Sequence, residues 1–292
     1  MKRFEYLAPT SLEQALEMLA ARPEAIPLAG GTDLLVQMKE RQRPVAALLS
    51  LKRLPELHAI RQNGELFLGA AATAGSVARQ PRIQQDFTAL AAGSGLIGSI
   101  QIRNIATVGG NLCNASPSAD AAPPLLVLGA QALIAGLDGE RSLDLEAFFL
   151  GPGRTALQPG ELLVGIRLPA PPERSGSFYY RHTPRAWMDI AFVGVAAAVT
   201  LDDKGRISHA RLALGAVAPV PMRARQAEGL LSGNSPSEEL FEAAGQLAAA
   251  ESQPIDDLRA SAAYRRHLVG VLTRRALRQT IARAKEDHGV FA

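Results

Sequence analysis

A chain of 292 residues is long enough for about two domains, since a typical domain has ~150 residues. Its 47% hydrophobic and 20% charged residues are ordinary for a globular protein with a sizeable core. The net charge of +3 comes without the dense basic patch and interleaved aromatic residues that indicate nucleic-acid binding. No apolar run reaches the ~18 residues that span a membrane, and no signal peptide is recognisable. We therefore expect a cytoplasmic protein with no membrane insertion.

The N-terminal part predicts alternating helices and strands. Ser11 can cap an amphipathic helix over residues 9–19, with Gln14 three positions after the cap. Short apolar runs with turn residues between them then predict strands. These strands are expected at 26–29, 46–51 and 66–73, and helices at 74–80, 83–86 and 88–92, the last ending at Gly93.

The first strand leads directly into Gly30-Gly31-Thr32-Asp33, and helix-compatible residues follow from Leu34. A glycine turn leaves backbone N–H groups available, and a helix N-terminus adds partial positive charge, so this arrangement suits a phosphate. Thr32 or Asp33 could equally be the N-cap of the helix, in which case the segment is only a tight turn. This segment alone leaves both interpretations open.

A second glycine-rich segment, residues 107–120, is the most informative part of the chain. It combines paired glycines with small hydroxyl and amide side chains, one proline and Asp120. Because glycine lacks a Cβ, such a loop can bring backbone N–H groups close to an anion. The apolar run 123–130 follows and predicts buried support. Cys113 is the sole cysteine, which excludes an internal disulfide and an all-cysteine cluster, and we expect it to be a small buried filler.

Two such segments in one chain favour the binding of a dinucleotide, because a dinucleotide needs more than one backbone surface to hold it. Neither segment matches G-x-G-x-x-G or G-x-x-x-x-G-K-[ST], so the Rossmann and P-loop modes of binding lack support.

The second half of the chain predicts the end of a first domain, a linker and a second domain. Strands are expected at 131–136, 143–145 and 162–169, before a linker rich in proline and charge at 169–176. Beyond the linker we expect antiparallel strands at 190–201 and 207–217 and long helices at 235–250 and 261–284. The predicted fold is α+β: residues 1–172 form a first domain with sub-parts at about 1–57 and 58–172, and residues 173–292 form a small antiparallel sheet with helices on one side.

Four sequence segments carry a resemblance to a known family: Ala29–Leu35, Arg103–Asn111, Ala115–Asp120 and Met188–Ala191. Over essentially its whole length the chain resembles the FAD-binding medium subunit of the molybdenum hydroxylases, the xanthine dehydrogenase and carbon monoxide dehydrogenase group. This resemblance implies a two-part FAD-binding domain of the vanillyl-alcohol-oxidase (PCMH) type, followed by the C-terminal domain of the CO dehydrogenase flavoproteins.

The resemblance also implies a role for each matching residue. Residues 28–34 would wrap the FAD pyrophosphate, residues 107–111 would form a second wall beside the phosphate and ribityl chain, and Ser116 and Asp120 would hold sugar hydroxyls. The residues expected at FAD are Leu28, Ala29, Gly30, Gly31, Thr32, Asp33, Leu34, Ile97, Thr107, Gly109, Gly110, Asn111, Ser116, Asp120, Leu163, Tyr180 and Arg181.

Residues outside the two segments are expected at the flavin and nucleotide ends. Ile97 would pack against the nucleotide half and Leu163 against the flavin ring region. Arg181 falls where relatives often place a lysine near the flavin, where a cation would favour the anionic reduced form. Either Tyr179 or Tyr180 would cover the ring, although hinge packing between the domains remains an alternative for both tyrosines and for Trp187.

The function implied is that of an electron-transfer subunit. A large partner subunit with molybdopterin would hydroxylate an N-heterocycle, an aldehyde or a similar compound, and a small partner subunit with two-iron clusters would pass electrons to this chain's FAD. From there the electrons would go to NAD, oxygen or another acceptor, and the assembly is expected to be a dimer of heterotrimers, a heterohexamer.

Two departures from the family narrow this expectation. A single cysteine excludes the branch with an extra four-iron cluster, and Thr32-Asp33 replaces the histidine-serine of the carbon monoxide enzymes, which disfavours carbon monoxide as substrate. Two alternatives stay open: a self-contained FAD-dependent oxidase of the same fold, and a non-enzymatic interaction subunit. No catalytic residue and no metal ligand is expected, because the histidines are scattered without ligand spacing: His58, His182, His209, His267 and His288.

Overall fold

The computed structural model describes residues 3–40, 44–185 and 188–286, so that Trp187 and His288 lie outside the described residues. The first part of the chain is a parallel three-stranded sheet in the order β1-β3-β2. Its elements are β1 (Glu5–Leu7), α1 (Leu12–Ala21), β2 (Ala25–Leu28), α2 (Leu34–Lys39) and β3 (Ala47–Ser50). The predicted cap is confirmed, since the Gln14 N–H donates to Ser11 Oγ at 3.2 Å.

A five-stranded antiparallel sheet follows, in the order β4-β5-β10-β6-β7, with a short 3-10 turn at Pro55–His58 before it. Its strands are β4 (Ile60–Asn63), β5 (Glu65–Gly69), β6 (Gln131–Gly136), β7 (Gly139–Asp144) and β10 (Leu162–Leu168). Between them lie α3 (Ala74–Arg79), α4 (Pro81–Asp86), α5 (Thr88–Leu96), α6 (Ile100–Arg103), α7 (Val108–Cys113), α8 (Ala122–Val127), α9 (Leu145–Phe148) and the hairpin of β8 (Phe149–Gly151) and β9 (Arg154–Thr155).

Two sequence predictions for this region are wrong. The strand predicted at 66–73 ends at Gly69, because the chain turns there and the Ala72 N–H donates to the Gly69 oxygen at 2.9 Å. The helix predicted to end at Gly93 continues to Leu96. A Cβ at Gly93 would lie 2.5 Å from the Asp120 backbone oxygen, so this glycine permits close packing and does not end the helix.

The last part of the chain is a four-stranded antiparallel sheet in sequence order, with three helices packed on one face. Its elements are β11 (Ser175–His182), β12 (Val193–Leu201), β13 (Ile207–Gly215), β14 (Met222–Arg223), α10 (Arg225–Leu231), α11 (Glu238–Glu251) and α12 (Ala262–Lys285). The predicted α+β arrangement is confirmed here, although the sequence reasoning missed β11 and α10.

The two faces of this last sheet serve different cores. Val195 and Ala197 pack against the three helices, whereas Tyr179, Ala196 and Ala213 pack into the core of the preceding part. This alternation is the two-residue period of a strand. The second face therefore carries side chains of the C-terminal sheet toward the glycine-rich segment.

Two hydrogen bonds also join the C-terminal sheet to the preceding part. The Ala216 N–H donates to the Pro117 oxygen at 2.7 Å, and the Ala89 N–H donates to Ser177 Oγ at 3.2 Å.

None of the described helices is both long and apolar enough to cross a membrane.

Candidate functional site

Both glycine-rich segments line one cavity of about 730 Å³. Its walls come from the turn between β2 and α2, from the segment around α7, from the start of β10 and from residues 188–190 of the C-terminal part. A cavity of this volume lies in the range that accommodates cofactors and other extended ligands. The expected residues on its wall are Leu28, Ala29, Gly30, Gly31, Thr32, Asp33, Leu34, Ile97, Thr107, Gly109, Gly110, Asn111, Ser116, Asp120 and Leu163.

The turn between β2 and α2 offers backbone donors. The N–H groups of Gly31, Thr32 and Asp33 make no hydrogen bond to any described residue. Gly31 has a φ of +74°, a conformation that side-chain-bearing residues rarely adopt. Asp33 occupies the N-cap position of α2 without a capping hydrogen bond, so the alternative of a simple capped turn receives no support.

The segment around α7 is built differently from the predicted loop. Residues 108–113 form a helix whose first N–H groups are already bonded: Gly109 N–H donates to the Ala70 oxygen and Gly110 N–H donates to Thr107 Oγ1, both at 3.0 Å. The prediction that these N–H groups would face an anion is therefore wrong. What this wall offers instead is side chains, namely the hydroxyl and amide groups of Thr107, Asn111, Asn114, Ser116 and Ser118.

Cys113 is not the buried filler predicted from the sequence. Its side chain is exposed and lines the cavity. Desolvation by the surrounding protein raises the pKa of the Cys113 thiol to about 12. The thiol is thus accessible from the cavity but is a poor nucleophile at neutral pH.

Asp120 sits at the boundary between the cavity and the C-terminal sheet. Its Oδ1 accepts a hydrogen bond from the Tyr179 hydroxyl at 2.8 Å, and its Oδ2 accepts one from Arg181 Nη1, also at 2.8 Å. Burial raises the pKa of the Asp120 carboxyl, and the charge of Arg181 opposes that rise. Burial beside Asp120 likewise raises the pKa of Tyr179 well above its usual value.

The structure does not bring Tyr180 or Arg181 to the cavity wall. Arg181 is buried and its Nη1 is used by Asp120 and by the Leu96 oxygen, so the expectation of a cation against the flavin receives no support. Tyr180 lies on the opposite face of β11, beside Phe178 and the C-terminal helices. Tyr179 is buried against Asp120.

Several wall residues were missed by the sequence reasoning. Glu161 lines the cavity and is fixed by two hydrogen bonds of 2.7 Å from Arg141, which lower the pKa of the Glu161 carboxyl. No local pattern marks this glutamate. Met188–Ile190 also line the cavity, and their place in the Met188–Ala191 motif of the resemblance is the sequence signal for them.

Among the described ranges, no three His, Cys, Asp or Glu side chains lie close enough together to hold a metal ion. The cavity is instead a partly apolar space with backbone donors at one segment and hydroxyl, amide and carboxylate groups along the other walls. This set of donors and acceptors suits a phosphate-bearing ligand that also has sugar hydroxyls.

Comparison with known proteins agrees with this geometry. Residues 2–171 match the family model of the FAD binding domain in molybdopterin dehydrogenase, and residues 178–280 match the CO dehydrogenase flavoprotein C-terminal domain. The chain is 34% identical to the xanthine dehydrogenase FAD-binding subunit of Escherichia coli O157:H7, over 96% of each chain. It is also 34% identical to the carbon monoxide dehydrogenase medium chain of Hydrogenophaga pseudoflava, over 96% of this chain and 98% of that one.

Solved structures show the same fold. The chain superposes with a TM-score of 0.92 on a chain of Hydrogenophaga pseudoflava carbon monoxide dehydrogenase at 34% identity, covering 97% of this chain and 98% of that one. For quinoline 2-oxidoreductase of Pseudomonas putida 86 the TM-score is 0.91 at 31% identity, covering 97% and 99%. The chain therefore belongs to the family of FAD-binding subunits of the molybdenum hydroxylases.

Proposed function

We propose that the cavity holds one non-covalent FAD, with the pyrophosphate against the N–H groups of Gly31–Asp33 and the sugar hydroxyls against Ser116 and Asp120. The observation that supports this placement most strongly is the set of N–H donors in the first turn, which have no partner among the described residues. A phosphate would accept hydrogen bonds from such a turn. On the wall around α7 the side chains of Thr107 and Asn111 would supply further polar contacts.

When bound, FAD takes electrons from an iron–sulfur donor and passes them to an external acceptor. The residues of this chain bind and orient it. Leu28, Ile97 and Leu163 add apolar surface to the cavity wall, which favours the nucleotide and ring portions and excludes water from them.

The remaining parts of the proposal concern the assembly. The chain would work with a large subunit that carries molybdopterin and a small subunit that carries two-iron clusters, as a dimer of heterotrimers in the cytoplasm. The domain boundary would lie near 172, which is supported by the irregular segment 169–174 and by the two family models that meet there. Relatives named for xanthine, nicotinate, nicotine and glyceraldehyde support an N-heterocycle or an aldehyde as the substrate class of the assembly.

The test begins with the full chain purified together with its partner subunits. We expect about one FAD per chain, released by acid without covalent attachment, and bleaching of the flavin band when the substrate is added to the complete assembly. The isolated chain should bind FAD but show no bleaching with the same substrate. Absence of FAD from the purified assembly would overturn the proposal, and substrate-dependent bleaching by the isolated chain would favour a self-contained oxidase.

A further inference from the structure

Arg181, Tyr179 and Asp120 form a buried cluster where the C-terminal sheet meets the cavity. We propose that Arg181 and Tyr179 are positioning residues that hold Asp120 as an ionised, oriented acceptor for cofactor hydroxyls, so that these two residues of the C-terminal domain contribute to FAD affinity without contacting FAD. This inference rests on the proposed function.

The carboxylate of Asp120 has acceptor capacity left for a ligand. An ionised carboxylate has about four lone-pair sites, and the hydrogen bonds from Tyr179 and Arg181 use one site on each oxygen. Asp120 is also a wall residue of the cavity. Its remaining sites can therefore accept hydrogen bonds from hydroxyl groups inside the cavity.

Arg181 supplies the countercharge and ties two walls together. Its side chain is 2% exposed and that of Asp120 is 9% exposed, so solvent does not screen the pair. The same Nη1 that binds Asp120 also donates to the Leu96 oxygen at 2.8 Å, directly before Ile97 and Gly98 of the cavity wall. Without this guanidinium the buried carboxylate would favour its protonated form and would lose acceptor strength.

Tyr179 fixes the direction of the other carboxylate oxygen. Its hydroxyl passes close to the neighbouring strand, where a Cβ on Gly194 would lie 2.5 Å from the Tyr179 oxygen. Gly194 lies on β12, where it pairs with Arg181 of β11. Because Gly194 has no side chain, there is space for the Tyr179 hydroxyl beside it. The bare backbone at Gly194 therefore makes the Tyr179–Asp120 hydrogen bond possible.

The test is a double-mutant cycle on the full chain, read as the dissociation constant of FAD from reconstituted apoprotein. Asp120→Asn and Arg181→Met should each weaken FAD binding by about tenfold to hundredfold, which is typical for a hydrogen bond to a charged group. Because Arg181 acts through Asp120, adding Arg181→Met to Asp120→Asn should weaken binding no further. Independent, multiplicative losses in the double variant would overturn the inference.

Two further variants separate positioning from general damage to the fold. Arg181→Lys should restore part of the affinity lost in Arg181→Met, and Gly194→Ala should weaken FAD binding by displacing Tyr179 although it removes no polar group. In the Asp120→Asn background Gly194→Ala should have no effect on FAD affinity. If Arg181→Met does not fold, judged by its urea unfolding curve, the pair Gly194→Ala and Asp120→Asn carries the same cycle.

Matched controls lie elsewhere in the C-terminal domain. Arg206→Met removes an exposed ion pair with Asp202, and Tyr264→Phe removes a hydroxyl near His182, so both should keep wild-type FAD affinity. A wild-type chain that binds no FAD would refute the proposed function itself. Two results would refute only the positioning role, in a chain that does bind FAD. One is independent losses of FAD affinity from the two substitutions in the double variant, and the other is an equal loss of FAD affinity in the controls.

Discussion

The backbone oxygen of Ile105 occupies the space in which Gly30 would carry a side chain. An ideal Cβ on Gly30 would lie 2.3 Å from that oxygen and 3.0 Å from the Ala106 Cα. The turn after β2 and the segment before α7 are thus in backbone contact. The glycine therefore joins the two walls of the cavity directly.

Gly30→Ala should separate these walls. The added methyl group meets backbone atoms that cannot rotate away, and such overpacking typically costs about 1–3 kcal/mol. We expect the free energy of unfolding to fall by about that amount, and FAD affinity to fall by tenfold or more. Gly229→Ala is the matched control, because a Cβ there meets nothing within 4 Å. Wild-type FAD affinity in Gly30→Ala would show that the wall contact does not shape the site.

Gly110→Leu should fill the cavity. Only Thr107 Oγ1 lies near the position of a Cβ, at 2.7 Å, and the rest of a leucine side chain would project from a wall residue toward the ligand space. We expect loss of FAD retention while the C-terminal domain stays folded, as measured by FAD content and by a two-step urea unfolding curve. Gly229→Leu should retain FAD. Flavin at wild-type occupancy in Gly110→Leu would mean that this segment does not contact the bound FAD.

Tyr180→Phe and Tyr179→Phe test which of the two tyrosines affects FAD. Tyr180 packs on Phe178 with ring centroids 4.8 Å apart, on the face of β11 that turns away from the cavity. Removal of its hydroxyl should leave FAD affinity and the flavin absorbance spectrum unchanged, whereas Tyr179→Phe should weaken FAD binding. A spectral shift in Tyr180→Phe, with none in Tyr179→Phe, would restore the expectation drawn from the resemblance.

Asp257 should give the C-terminal domain a defined acid dependence. Partial burial raises the pKa of Asp257, but the N–H groups of Ala260 and Arg259 and the guanidinium of Arg265 outweigh it and lower that pKa to about 2. Because the folded-state pKa lies below the unfolded value of 3.8, the carboxylate stabilises the fold above about pH 4, and this contribution is lost as the pH falls from 4 toward 2.

Asp257→Asn should therefore lower the urea midpoint at pH 7. The difference in urea midpoint between this variant and wild type, here called the gap, should narrow between pH 4 and pH 3. Asp203→Asn, at a fully exposed hairpin position, should show no gap at either pH. A gap for Asp257→Asn that stays constant from pH 7 to pH 3 would contradict the depressed pKa.

Local signals in the sequence were enough for part of this structure. Ser11 and Gln14 identified the first helix because capping depends on neighbours only three residues apart. Helix α7 could not be found in this way, since two glycines disfavour a six-residue helix. Contacts with Ala70 and Ala72, far away in the sequence, hold it instead.

The surroundings of Tyr180 and Arg181 were not predicted from the sequence for the same reason. The resemblance named these positions as cofactor contacts, but the partner of Arg181 depends on Asp120, which lies 61 residues earlier in the chain. Had β11 been recognised, its two-residue period would have placed Tyr179 and Arg181 on one face and Tyr180 on the other. Glu161 carries no sequence signal, because Arg141 fixes it from another strand.

Protection of Cys113 by FAD tests most directly whether the cofactor occupies this cavity. Cys113 is the sole cysteine and lines the cavity from within the second glycine-rich segment, so alkylation by a maleimide reports on one position. We expect slow but complete labelling of the apoprotein, given the high pKa of the thiol, and a rate at least tenfold lower at saturating FAD. The urea-unfolded chain sets the upper limit of labelling, because FAD cannot protect Cys113 there. An equal labelling rate with and without bound FAD, or an unreactive thiol in the apoprotein, would contradict this placement.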